Sequence, residues 1–127
     1  MDKRGIAREL LRLAKELVAG TWSLPNNPRD VDRIVKMVSN MRRGKPPLPG
    51  KTDVGSAFYR LLGDDDLYDR FDSELEWHKR EGYGMDVYYQ TCADLVRDRV
   101  KEFVKQNRKD FRSPTDYNML VELSKRL

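Results

Sequence analysis

The sequence predicts an all-α protein: a single compact bundle of about five to six helices, forming one domain over residues 1–127. Three observations carry that expectation. Apolar residues recur at spacings of three and four, with no alternating apolar–polar run to suggest a strand. Gly and Pro cluster between the periodic segments and are sparse inside them. Hydrophobic residues make up 39% and charged residues 36%, a balance that bundles tolerate because each helix needs only one apolar stripe.

The first expected helix covers residues 3–19, where Ile6, Leu10, Leu13 and Leu17 share a wide arc with Ala7, Leu11, Ala14 and Val18 before Gly20 stops it. After the linker TWSLPNNP, a second helix is expected over 29–43. Asn27 is placed to cap it and Pro28 takes the first-turn position that proline favours. Its inward residues are Val31, Ile34, Val35, Val38 and Met41. Gly44 ends it, and the Pro-rich connector 44–52 cannot be helical.

A short helix follows over 54–62, with Phe58, Leu61 and Leu62 apolar and Gly63 closing it. The next spans 65–80, turning Leu67, Phe71 and Leu75 inward, with Tyr68 and His78 as further candidates. The break EGYG precedes the longest helix, about 85–111, which carries Tyr88, Cys92, Leu95, Val96, Val100, Phe103 and Val104 along one side. The turn SPTD restarts a last helix: Ser113 stands at the cap, Pro114 at the first turn, and Met119, Leu120 and Leu123 anchor it.

Composition excludes several classes. No apolar run reaches the roughly 20 residues of a membrane span, and Arg8, Glu9, Arg12, Lys15 and Glu16 interrupt any signal-peptide core near the N-terminus. A single Cys92 permits no internal disulfide and, with His78 the only histidine, no Cys/His zinc site. A cytoplasmic location is expected, or host cytoplasm or virion if the chain is viral, since free thiols persist there. Charge-segregated helical proteins of this size are common among phage and mobile-element products. No cofactor and no small-molecule substrate is expected.

The net charge is +4, but its distribution is more informative than its sum. Residues 29–51 hold seven Lys/Arg against two Asp, residues 63–86 nine Asp/Glu against three Lys/Arg, and residues 97–127 nine basic against five acidic. On a helical wheel Arg4, Arg8, Arg12 and Lys15 fall within about 80° of one another, and Arg29, Arg33, Lys36 and Arg43 form a similar arc. Were the two helices adjacent, these stripes would join Lys45 and Lys51 in one cationic surface, suited to the phosphates of a nucleic acid or to an acidic protein partner. Without that partner they form a solvated face paired to neighbouring carboxylates.

Gly44, Gly50, Lys51 and Thr52 imitate a phosphate-binding Walker A loop. The imitation fails: five residues, three of them proline, separate the glycines, whereas the motif needs four and works through backbone N–H donors. The same prolines favour a stiff polyproline spacer, and Arg43, Pro46 and Pro49 match a basic PxxP docking pattern.

Asp64, Asp65, Asp66 and Asp69 open the acidic segment. They miss the EF-hand spacing, since Tyr68 and Asp69 occupy the fifth and sixth positions. They read as a helix cap and first turn, or as an electrostatic dock for a basic partner. Tyr83, Tyr88 and Tyr89 crowd one helix start, and such rings serve a protein interface well. Glu74 and His78, four apart, could share a helix face, but a lone carboxylate–imidazole pair is slender ground for an active site.

The leading expectation is therefore a non-enzymatic helical interaction protein, self-associating or binding a protein partner through segregated acidic and basic faces. The alternative is a nucleic-acid-binding module using the first two basic stripes.

Overall fold

The computed structural model describes residues 27–50, 53–106 and 114–127, together with Lys3, Ile6 and Pro25. The described residues form five helices and no strand: α1 (Pro28–Arg42), α2 (Val54–Leu62), α3 (Asp65–Glu81), α4 (Met85–Gln106) and α5 (Pro114–Arg126). The all-α bundle expected from the sequence is the architecture found. The helix expected over 3–19, the stretch 107–111 and the cap at Ser113 lie outside the described residues.

The helix ends follow the chemistry of their letters. Asn27 caps α1 by accepting from the Asp30 N–H at 3.1 Å, with Pro28 in the first turn. Asp53 caps α2 through the Ser56 N–H and hydroxyl. Gly63 ends α2 in the left-handed region, and Asp64 immediately opens α3, so only these two residues separate the helices.

Core packing is organised around α4, which packs against α1, α3 and α5. Its buried residues are Tyr88, Tyr89, Cys92, Ala93, Val96, Val100 and Phe103. Tyr88, Cys92, Val96 and Val100 form one row spaced four apart, Tyr89 and Ala93 an adjoining one, and Phe103 extends the stripe, which is wide enough for several neighbours. From α1 come Val31, Ile34, Met37, Val38 and Met41; from α2 and α3, Val54, Phe58, Leu62, Leu67 and Phe71; from α5, Leu120 and Leu123. Phe58 and Phe71 meet with ring centroids 6.0 Å apart. Fully burying one such side chain contributes about 1.5–3 kcal/mol.

Two glycines mark close approaches. At Gly44 the backbone turns with φ +76°, and a Cβ there would come within 2.9 Å of the Asp86 Cβ at the start of α4. At Gly55 a Cβ would stand 2.7 Å from the Tyr68 ring, so α2 can pack on α3 only where that side chain is missing. The connector between α1 and α2 is drawn onto the bundle: Pro47 is buried, Leu48 packs against the core, and the Asn40 amide donates to the Pro47 carbonyl at 3.1 Å. Its prolines are thus partly committed inward.

One expectation is corrected here. Asp64 is not a surface aspartate; its side chain is 2% exposed and forms an ion pair with Arg99 of α4, Nε to Oδ2 at 2.7 Å. Its other oxygen accepts from the Asp66 and Leu67 N–H groups at 3.0 and 3.2 Å. A carboxylate this deeply desolvated requires such partners, because an unpaired buried charge is strongly destabilising. Substituting Arg99→Met should lower unfolding free energy by on the order of 2–3 kcal/mol, the lower end for a buried pair because the guanidinium keeps a path to water. Asp64→Asn, which keeps a capping side chain, should cost about as much, and Asp64→Ala about 1 kcal/mol more through loss of the cap. Urea denaturation of the three variants measures both quantities.

Candidate functional site

The charged residues of the described surface divide into those that hold helices together and those that face solvent. Arg42 of α1 donates to Asp94 of α4 and to the Leu127 carbonyl, both at 3.1 Å. Arg126 of α5 reaches Asp32 of α1 at 2.7 Å. Arg97 pairs with Asp98 and Asp94, and Arg70 with Asp66. Such exposed pairs contribute little individually, about 0.2–1 kcal/mol each.

Arg29, Arg33 and Lys36 are among the cations left over, with Arg60, Lys79, Arg80, Lys101, Lys105 and Lys125 elsewhere on the surface. The first three are exposed along one side of α1, and among the described residues none of them forms an ion pair. Arg43, just past the helix, donates to the Asn40 side chain at 2.6 Å, and Lys45 is exposed beside it. These five of the anticipated cations extend along one surface. Arg4, Arg8, Arg12, Lys15 and Lys51, expected to join them, lie outside the described residues.

The acidic counterpart is on α3. Asp69, Asp72 and Glu76 recur at three and four, all exposed, and no ion pair involves them among the described residues. Asp65 and Asp66 stand in the exposed first turn, where carboxylates favour the helix dipole. α1 and α3 each pack closely on α4, so the cationic and acidic stripes are carried by different helices of the bundle.

The tyrosine cluster resolves differently from expectation. Tyr88 and Tyr89 are 3% and 4% exposed and belong to the core, so neither offers an interface ring. The Tyr88 hydroxyl donates to the Phe71 carbonyl at 3.3 Å, satisfying its polar end inside. Tyr83 remains open, 52% exposed, and stacks on Trp77, itself 42% exposed, with centroids 5.3 Å apart and planes 21° from parallel. Trp77 was not anticipated. The available signal was a large aromatic residue off the apolar arc of its helix, among charged neighbours.

Below these rings lies His78, 3% exposed. Its Nδ1–H donates to the Glu74 carbonyl at 2.7 Å, with the Glu74 carboxylate 3.4 Å away, and its Nε2 is 3.4 Å from the Thr91 hydroxyl oxygen. The His78 ring stands edge-on to Trp77 and Tyr88, at 5.0 and 6.0 Å. Glu74, Trp77, His78, Tyr83, Val87 and Thr91 together line an open cleft of about 480 Å³. With one ring nitrogen held by a main-chain carbonyl and the other beside Thr91, His78 works as the cleft's structural floor.

Cys92 is buried and reduced. Burial pushes its thiol from the ordinary 9.0 up to about 12, against a smaller opposing effect of the hydrogen bond with Tyr88. Burial also raises the Tyr88 and Tyr89 hydroxyls, with Cys92 adding to both. A thiol held neutral this firmly is a poor nucleophile. Among the described residues there is no group of three or more side chains able to hold a metal ion, and no helix long and apolar enough to cross a membrane.

Comparisons with family models, with curated proteins and with solved structures find no match. The functional reading therefore rests on the geometry alone.

These raised pKa values carry a signed consequence. The unfolded chain releases these protons at lower pH than the folded one, so unfolding becomes easier as pH climbs above the ordinary thiol value of 9.0. The urea midpoint should fall progressively between about pH 9 and pH 11, and the decline should be shallower in Tyr88→Phe, which removes one of the titrating groups.

Proposed function

We propose that this protein is a non-enzymatic interaction module that associates head to tail, the cationic side of α1 on one copy meeting the acidic side of α3 on the next. The observation that carries the reading is the separation of two unpaired, oppositely charged stripes onto different helices of one bundle. Like-charged faces repel, so two copies avoid matching the same side and approach with unlike sides together. Such a contact is heterologous; it closes a ring or extends a filament, according to the rotation between subunits.

Two full-length variants test this without reversing any charge. In the first, Arg29→Ala, Arg33→Ala and Lys36→Ala neutralise α1; in the second, Asp69→Asn, Asp72→Asn and Glu76→Gln neutralise α3. Neither should associate alone, whereas their mixture should give a 1:1 dimer that grows no further. Light scattering of the native protein should show mass falling as salt rises, since screening shortens the reach of exposed charges to roughly 10 Å at 0.1 M. A native chain that stays monomeric at low salt would end the proposal.

The unpaired α1 cations also favour a second reading, contact with nucleic-acid phosphates. On that reading the α1 variant should lose binding to duplex DNA or RNA in a gel shift, while the α3 variant should bind at least as well as the native protein. Failure of the native protein to retard either nucleic acid at low salt would dispose of it.

A further inference from the structure

We infer that the Trp77–Tyr83 cleft is a receptor for an arginine side chain, contributed by the α1 stripe of a second copy of this chain. The inference rests on the head-to-tail reading above and adds to it the anchor that charge alone lacks. Trp77 and Tyr83 present large exposed rings stacked on one another at the rim. A guanidinium lies well on such faces, being planar, always charged and weakly hydrated. Glu74 supplies a carboxylate whose side chain is 34% exposed, and its contact with His78 leaves acceptor sites toward the cleft.

The surrounding field favours the same occupant. The cleft lies along the last turns of α3, whose carbonyl end carries the negative pole of the helix dipole. Glu74 and Glu76 lie within one turn of Trp77 on α3, while Lys79 and Arg80 occupy its last turn. Val87 offers an apolar wall for an aliphatic stem, and about 480 Å³ accommodates a whole arginine side chain. On α1, Arg29 and Arg33 stand one turn apart, exposed and without an ion pair among the described residues, so either is available to enter.

Nuclear magnetic resonance on the full chain tests the cleft directly. The Trp77 indole N–H signal, assigned by its loss in Trp77→Phe, should shift saturably with N-acetyl-arginine amide. The uncharged citrulline analogue should bind at least fivefold more weakly, and Glu74→Gln should erase most of that preference. Equal response to arginine and citrulline overturns the inference, whatever the association state.

In the association assay, Trp77→Ala and separately Tyr83→Ala should each weaken head-to-tail binding about tenfold, which is about 1.4 kcal/mol, with the salt dependence retained and the thermal melt unchanged. Association unaffected by both changes overturns the second copy as occupant while leaving the charge reading intact. Absence of association in the native protein removes the charge reading and the second copy with it, and the arginine titration alone then decides the chemistry of the cleft.

Discussion

The fold depends on one carboxylate. Asp64 follows the glycine that ends α2, opens α3 with both of its Oδ1 hydrogen bonds, and through Oδ2 fastens that corner to Arg99, about two-thirds of the way along α4. Two of these roles are local and fix where α3 begins. The third is long-range and fixes the direction in which α3 leaves. Burial would by itself lower the pKa of the Arg99 guanidinium, yet the hydrogen bond and charge of Asp64, with Glu102 and Asp66 adding to them, outweigh it and raise it, so the charge is held. Since α3 carries the acidic stripe, Trp77 and His78, the attitude set at Asp64 determines which way the exposed chemistry faces.

The local parts of this arrangement were legible in the letters. Asn27 before Pro28, Gly44 after Arg43 and Gly63 after Leu62 each specify a helix boundary through a mechanism that acts within four residues. The periodicity of α1 and α4 likewise announced most of the core. Asp64 escaped because three consecutive aspartates look interchangeable, and only the first meets Arg99, a partner 35 residues away. No spacing rule reaches that far. Tyr89, unlike Tyr88 on the apolar side, escaped for a related reason: adjacent residues on one helix differ by about 100°, so both are buried only where the helix is enclosed from more than one side. α4 is enclosed in that way by three neighbours, a fact of tertiary packing.

The site was legible in halves. The cations of α1 and the carboxylates of α3 follow from composition blocks, because solvent-facing charge needs no partner to remain where it is. The cleft does not, since it is made by a stretch that breaks and returns. Gly82 ends α3 with φ +78°, and the chain brings Tyr83 back over Trp77 before α4 starts. The Glu74–His78 pair, whose spacing of four puts both on one helix face, lies under those rings, with His78 held through a main-chain carbonyl.

Charge and cleft have complementary physical roles. Exposed stripes attract from a distance but discriminate poorly, because screening and flexible side chains leave each pair worth about 0.2–1 kcal/mol. Rings that project from a helix and a returning loop, with a carboxylate close by, give a contact whose strength depends on shape as well as sign. In this molecule Arg42, Arg70, Arg97, Arg99 and Arg126 are all committed to carboxylates of the same chain. The cations of the α1 stripe form no ion pair among the described residues, and the rings at Trp77 and Tyr83 are exposed. On the proposed reading, a partner steered by the stripes would meet, next to the last turns of α3, a stacked pair of exposed rings.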